Sequence, residues 1–144
     1  MKTKFLKQIE RNIKYIVPVL IIGIAVICVY CMSCQEGFET NPASFEKDIH
    51  SGKKLVLFYA DWCGYCKKLK PDWDAAADQV NETDDIKMIK INVGDAQDSK
   101  QQQISNTYKI QGYPTILLLD SGKKVDTYKD GMNKDSLVSY CKTF

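Results

Sequence analysis

The sequence predicts a small α/β domain with a mixed sheet, preceded by one membrane-spanning helix. Two observations lead to this prediction: helix and strand signals alternate after Pro42, and residues 15–33 are predominantly apolar and uncharged. The chain has 144 residues, of which 44% are hydrophobic and 26% are charged. That composition is ordinary for a globular protein, and the length suits one compact domain. It excludes a disordered chain, a collagen-like repeat and a disulfide-dense miniprotein.

The stretch at residues 15–33 predicts a membrane anchor. At about 1.5 Å per residue, a helix of this length would span about 28 Å, close to the hydrocarbon thickness of a bilayer. A buried core helix is one alternative, but the rest of the chain is too small to surround it. A cleaved signal sequence is another, because Cys31-Met32-Ser33 is a passable small-x-small site. We favour an uncleaved anchor because the stretch is longer than the usual signal core.

Charge is unevenly distributed around the anchor. Residues 1–14 contain five basic residues and one acidic residue, whereas the other 130 residues contain 15 basic and 17 acidic residues. The positive-inside rule therefore predicts a single-pass protein with a cytoplasmic tail at residues 1–14 and an extracytoplasmic domain, in a periplasm, lumen or exterior. Disulfides form and persist in those compartments. The domain itself is close to neutral, which disfavours nucleic-acid binding.

Three cysteines, Cys28, Cys31 and Cys34, repeat every three residues along the end of the anchor, which places them roughly along one helix face. Acylation, a link between two chains and simple apolar packing all remain open for them. A zinc site is not predicted, because His50 is the single histidine and no second paired-cysteine motif exists at finger spacing. No metal is expected.

Residues 34–41 are polar and predict a short linker, and residues 42–144 predict the folded domain. An apolar spacing that begins at Phe45 indicates a first helix ending near Ser51. The apolar run at residues 54–59 is typical of a buried strand.

The next predicted helix covers residues 63–81 and contains Pro71, which predicts a kink. Five apolar side chains share one of its faces: Leu69, Trp73, Ala76, Ala77 and Val80. The remaining predicted elements are a strand at 86–93, a helix at 98–108, a strand at 115–119, a hairpin turn at 120–123, a strand at 125–128 and a helix at 134–142. This order predicts a mixed sheet covered by helices on both faces.

Two cysteines spaced C-x-x-C lie between the first strand and the long helix, in the segment Asp61-Trp62-Cys63-Gly64-Tyr65-Cys66-Lys67. The spacing places Cys63 at the exposed start of the helix and Cys66 one turn inside it. Unpaired N–H groups and the positive end of the helix dipole favour the thiolate form of Cys63. A thiolate is the nucleophile in disulfide exchange.

The segment from Val56 to Pro71 resembles the active-site strand and helix of thioredoxin and of the catalytic domains of protein disulfide isomerase. Farther along, Gly112-Tyr113-Pro114-Thr115 is similar to the loop in which those proteins hold a cis-proline facing the cysteine pair. The resemblance covers about residues 42–144 and implies a thioredoxin fold. It also implies a thiol:disulfide oxidoreductase that acts on protein cysteines, exchanges electrons with an unidentified redox partner and needs no cofactor.

The same resemblance implies roles for individual residues. Cys63 would attack first, and Cys66 would resolve the mixed disulfide. The residues that would shape the site around them are Trp62, Gly64, Tyr65, Tyr113 and Pro114. The cis bond before Pro114 would leave the preceding backbone free to pair with an extended peptide. Ordinary loop packing is the alternative role for Trp62, Tyr113 and Pro114.

Two departures from the family pattern bear on activity. Leu57 occupies the strand position where thioredoxin has a buried Asp and protein disulfide isomerase a buried Glu. That acid helps to move the proton of the buried cysteine, so its absence weakens the expectation of fast resolution by Cys66. Tyr65 replaces a Pro or His, and a neutral Tyr does not supply the charge with which His stabilises the thiolate. A binding or assembly module with little redox turnover is therefore the alternative function.

Two further residues carry a possible modification or link. Cys141, on the final helix, is expected to be a buried structural thiol, with an intermolecular or regulatory disulfide as the alternative. Asn81-Glu82-Thr83 matches an N-glycosylation acceptor, which would matter only in a eukaryotic secretory lumen.

Overall fold

The computed structural model describes Gly23, residues 39–83 and residues 85–144. The predicted tail at residues 1–14 lies outside the described residues, and Gly23 is the one described position of the predicted anchor. The three cysteines at the end of the predicted anchor, Cys28, Cys31 and Cys34, also lie outside the described residues. Among the described residues, no helix is both long and apolar enough to cross a membrane.

The folded region from residue 39 onward builds one mixed sheet. In the described ranges the strands are β1 (Glu39–Thr40), β2 (Lys53–Tyr59), β3 (Lys87–Asn92), β4 (Thr115–Asp120) and β5 (Lys123–Thr127), and the helices are α1 (Phe45–Asp48), α2 (Gly64–Thr83), α3 (Ser99–Thr107) and α4 (Lys134–Cys141). The strand order is β1-β3-β2-β4-β5. The first three strands are parallel, whereas β4 is antiparallel to both β2 and β5. The predicted mixed α/β architecture is confirmed.

The first strand corrects the predicted linker at residues 34–41, because Glu39 and Thr40 pair with β3 at the edge of the sheet. Both residues are polar, so the sequence has no apolar run that would predict a strand here. Their side chains form hydrogen bonds with other parts of the fold: Thr40 donates to the carboxylate of Asp48, and Glu39 accepts from the Tyr59 hydroxyl.

The second strand lies at the centre of the sheet and is buried on both faces. Side chains alternate between faces along a strand. Leu55, Leu57 and Tyr59 belong to the apolar cluster that includes residues of α2 and α4, whereas Val56 and Phe58 belong to the cluster that includes residues of α1 and α3. Helices therefore cover both faces, which explains why β2 is a continuous apolar run.

The second helix positions the start of the C-x-x-C motif. Its predicted apolar face is buried in full, at Leu69, Trp73, Ala76, Ala77 and Val80. The helix continues to Thr83, two residues beyond the prediction, and Pro71 lies inside it. The kink at Pro71 stays a prediction.

The other elements agree with the prediction except at some ends. Helix α1 stops at Asp48, and the chain then turns through Gly52, whose φ is +68°. The hairpin turn between β4 and β5 is confirmed, with positive φ at Ser121 and Gly122. Asp98 caps α3 by accepting hydrogen bonds from two backbone N–H groups, as Asp side chains do at helix starts.

The side chain of Asn81 connects α2 to β3. Its Nδ2 donates to the carbonyl oxygen of Met88 at 3.1 Å, and its Oδ1 accepts from the N–H of Met88 at 2.6 Å. Both halves of the amide are therefore used inside the fold. This disfavours the interpretation of Asn81-Glu82-Thr83 as a glycosylation acceptor in the folded domain. Cys141 is buried in the apolar cluster between the sheet and α4, as expected.

Candidate active site

The C-x-x-C motif lies where β2 ends and α2 begins. The backbone N–H of Cys63 donates to the carbonyl oxygen of Ala60 at 3.0 Å, which closes a tight turn just before the helix. Gly64 is the first helical residue, and Cys66 lies within the first turn. Both cysteines are free thiols.

The sulfur of Cys63 is held between the helix start and the loop before β4. It accepts from the backbone N–H of Cys66 at 3.2 Å, and it lies 3.6 Å from the carbonyl oxygen of Tyr113. The expectation that Cys63 is exposed is wrong, because only 6% of the residue is accessible, against 0% for Cys66.

The sulfur of Cys66 has a different environment. Burial, together with the hydrogen bond to Cys63, raises the pKa of the Cys66 thiol to about 11. Cys66 therefore keeps its proton at neutral pH, so it places no negative charge in the core. The pair consists of one sulfur that receives an N–H bond near the surface and one buried sulfur that stays protonated.

Two aromatic side chains flank the motif, and two consecutive carbonyl groups hold them. Trp62 Nε1 donates to the carbonyl oxygen of Gly94 at 3.0 Å, and Tyr113 Oη donates to that of Val93 at 2.7 Å. The rings meet edge to face, with centroids 5.7 Å apart. We call these two rings and their two carbonyl partners the aromatic clamp. The Tyr113–Pro114 peptide bond beside it is cis, as the resemblance implies.

Gly94 allows the aromatic clamp to form because it packs directly on the strand–helix junction. A Cβ added to Gly94 would lie 2.2 Å from the Cβ of Ala60 and 3.2 Å from Nε1 of Trp62. Glycine is the residue that permits such a close approach. Sequence reasoning missed both Val93 and Gly94 as site residues; the available signal was a glycine directly after a strand, which often marks a close backbone contact.

Tyr65 and Trp62 present large aromatic surfaces to solvent beside the cysteines. Tyr65 is 76% exposed and Trp62 is 70% exposed, so neither ring is explained by core packing. Gly64, between the cysteines, has open space where a Cβ would lie. Within the described ranges, no group of three or more His, Cys, Asp or Glu side chains could hold a metal ion.

Leu57 is fully buried in the centre of the sheet, on the same face as the cysteine helix. Its register partners are Lys90 of β3 and Ile116 of β4. The ammonium group of Lys90 lies 2.6 Å from the carboxylate of Asp74 and 3.8 Å from that of Glu39. Lys90 is thus balanced by carboxylates from α2 and β1, which sequence reasoning did not connect with this strand.

A profile of the thioredoxin family matches residues 35–143. The chain belongs to the thioredoxin family. Protein disulfide-isomerase of Zea mays is 40% identical over 90 residues, which cover 61% of this chain and 17% of that protein. Human protein disulfide-isomerase A6 is 35% identical over 109 residues, 74% of this chain and 24% of that protein. The chain therefore spans about a sixth to a quarter of the length of these thioredoxin-family relatives.

A solved structure supports the same fold. The first two thioredoxin domains of Naumovozyma dairenensis Eps1p align with a TM-score of 0.65 and 19% identity, covering 74% of this chain and 41% of that chain. A likeness at this identity shows the fold alone. The predicted thioredoxin fold of the domain is confirmed by this alignment and by the family match.

The two thiols should differ in reactivity. At pH 6.5, we expect iodoacetamide to label Cys63 of the reduced protein at least about tenfold faster than Cys66 or Cys141. Because burial raises the pKa of Cys66 to about 11, its labelling rate should keep rising with pH up to that value. Peptide mass spectrometry measures each rate, with Cys63→Ser as the control. Equal rates at the three cysteines would contradict the assignment.

The close contact at Gly94 should make this position intolerant of a methyl group. We expect Gly94→Ala to lower the free energy of unfolding by about 1–3 kcal/mol, because the added Cβ meets Ala60. The emission of Trp62 should change at the same time, since its partner carbonyl moves. Gly112→Ala is the matched control, because no atom lies within 4 Å of a Cβ built there. Urea unfolding followed by fluorescence measures both, and equal stability of the two variants would refute the prediction.

Proposed function

We propose that this protein is a thiol:disulfide oxidoreductase that exchanges disulfides with protein cysteines through Cys63 and Cys66. The observation that carries the proposal is the 3.2 Å contact from the Cys66 N–H to the Cys63 sulfur, combined with a fully buried and protonated Cys66. Relatives named protein disulfide-isomerase support it.

The reaction proceeds in two thiol–disulfide exchange steps. The thiolate of Cys63 attacks a substrate disulfide, a mixed disulfide forms, and the first substrate sulfur leaves with the electron pair and takes up a proton. Cys66 then loses its proton and attacks the Cys63 sulfur, which releases the second substrate thiol. The protein ends as the Cys63–Cys66 disulfide and the substrate as a dithiol. The reverse sequence oxidises a substrate dithiol.

The backbone before Pro114 is suited to receive the substrate chain. No described residue accepts a hydrogen bond from the N–H of Tyr113, whereas its carbonyl oxygen lies beside the Cys63 sulfur. An extended peptide that pairs here would bring its own cysteine to Cys63, in the manner of strand addition. In this arrangement Trp62 and Tyr65 offer exposed aromatic surface near the reacting sulfur.

We also propose that residues 15–33 anchor the protein, with residues 1–14 in the cytoplasm and the thioredoxin-like domain beyond the membrane. The length of the uncharged stretch and the basic tail before it support this arrangement. An extracytoplasmic domain would meet protein disulfides, which are the substrates of the proposed exchange.

A binding or assembly module is the second candidate, and the buried Leu57 favours it. With no carboxyl group at this position of β2, deprotonation of Cys66 has no acid–base group in the strand beneath it. Slow resolution would turn the site into one that holds a partner rather than one that turns over.

Reduction of insulin by dithiothreitol separates the two candidates. We expect the full-length protein in detergent to accelerate insulin reduction, Cys63→Ser to be inactive, and Cys66→Ser to accumulate a mixed disulfide on Cys63. The tenfold or larger loss expected for Cys63→Ser follows from removal of the nucleophile. A wild-type protein no faster than Cys63→Ser would refute the enzyme and favour the binding module.

Introducing a carboxyl group at position 57 tests whether deprotonation of Cys66 limits turnover. We expect Leu57→Glu to raise the turnover rate and to lower the free energy of unfolding by about 1–3 kcal/mol, because a carboxyl group is being buried. Lys90, its register partner, would face the new group. Leu57→Gln is the matched control, with the same shape and no acid. Insulin reduction and thermal melts measure both effects; a variant that melts lower without turning over faster shows that Leu57 is only core packing.

The membrane arrangement has its own test. A reporter domain fused after Phe144 should be protected from protease added to the cytoplasmic side of sealed vesicles, and digested once detergent opens them. The basic tail before the anchor is the reason for this orientation. Digestion without detergent would reverse the topology, and a soluble form beginning near Cys34 would show a cleaved signal instead.

A further inference from the structure

A cleft of about 360 Å³ opens beside the aromatic clamp, between the loop after β3 and helix α3. Both rings of the clamp line it, and the carbonyl oxygen of Tyr113 lies 3.6 Å from the Cys63 sulfur. The volume is at the lower end of the range for small-ligand pockets and suits one long side chain. The polar side chains of its wall are Asp95, Gln102, Ser105 and Asn106.

The polar groups of this wall are mainly acceptors. Among the described residues, Asp95 is the one charged residue that lines the cleft. Its Oδ1 accepts from the N–H of Gln97 at 2.8 Å, which leaves Oδ2 available. The amide nitrogen of Gln102 already donates to the carbonyl oxygen of Ala96, so its Oε1 remains as an acceptor.

The neutral groups add adaptable hydrogen bonding. No described residue is bonded to the hydroxyl of Ser105 or to the side-chain amide of Asn106, although both residues line the cleft. The rings of Trp62 and Tyr113 also line the cleft, and the faces of aromatic rings attract cations. A carboxylate, acceptor oxygens and aromatic rings together match a side chain with a long apolar stem and a cationic end.

We propose that this cleft binds an Arg or Lys side chain of the substrate, next to the cysteine that reacts with Cys63. The proposal rests on the proposed function, because it places the occupant on the peptide that pairs beside Tyr113. It deepens that function by naming a substrate class: protein segments in which a basic residue neighbours the reactive cysteine. An acidic neighbour would face Asp95 and be disfavoured.

Fluorescence titration tests the cleft separately from the chemistry. The chain has two tryptophans, of which Trp73 is fully buried and Trp62 lines the cleft, so a change in emission on binding reports Trp62. The probes are three heptapeptides with Ser in place of the central Cys and with Arg, Ala or Glu beside it. We expect the full-length protein to bind the Arg peptide about fivefold more tightly than the Ala peptide, and the Glu peptide most weakly. The advantage should shrink as salt is added, because the contact is partly exposed.

Two charge-neutralising variants complete the design. Asp95→Asn keeps the acceptor for Gln97 and should abolish the preference for Arg over Glu. Asp78→Asn removes the same charge from an exposed position of α2 outside the cleft, and it should leave the preference intact. Equal affinities for the three peptides, no measurable binding of any of them, or an unchanged preference in Asp95→Asn would each overturn the proposal.

Cysteine versions of the same peptides, presented as disulfides with a small thiol, distinguish failure of the proposed function. If the Ser peptides show the Arg preference but their Cys counterparts are exchanged no faster than by Cys63→Ser, the cleft stands and the oxidoreductase does not. If exchange proceeds equally well with Arg, Ala and Glu beside the cysteine, the oxidoreductase stands and the cleft has no such role.

Discussion

The arrangement of the site depends on the dipeptide that follows β3. The carbonyl groups of Val93 and Gly94 bind the side chains of Tyr113 and Trp62, while the N–H of Val93 donates to the carbonyl oxygen of Tyr59 at 2.9 Å. One short segment therefore connects the end of β2, the residue before the first cysteine and the loop before β4. Because these parts come from distant points in the chain, their common attachment keeps the cysteine, the cis-proline loop and the neighbouring cleft in one geometry.

The charges near the site are arranged around an apolar centre. Leu57 leaves its position of β2 without an ionisable group, and its register partner Lys90 pairs with Asp74 of α2 and Glu39 of β1. Glu39 also accepts from Tyr59, so the edge strand β1 is attached through polar side chains rather than through apolar packing. The charged side chains therefore lie outside the strand that leads into the motif, and burial is the largest influence on the pKa of the Cys66 thiol, which it raises.

The elements that the sequence predicts correctly are those whose pattern is set by residues close together in the chain. The run at residues 54–59 is apolar because β2 is buried on both faces, and the helical spacing after Cys66 reflects one buried face. By contrast, β1 depends on pairing with a strand about fifty residues later, and its polar residues have no local strand signal. The low exposure of Cys63 could not be foreseen either, because Tyr113, from another part of the chain, lies against its sulfur.

In the proposed exchange, the buried sulfur of Cys66 would link electron transfer to proton uptake. Since Cys66 holds its proton up to a pH of about 11, reducing the Cys63–Cys66 disulfide at neutral pH consumes at least one proton along with two electrons. The midpoint potential of the pair must then fall by about 30 mV for each unit rise in pH when Cys63 remains anionic, and by about twice that when both sulfurs are protonated. A substrate whose two thiols are protonated releases two protons when it is oxidised. Exchange that leaves Cys63 anionic therefore releases one proton overall and is opposed by acid, whereas exchange that leaves both sulfurs protonated does not depend on pH.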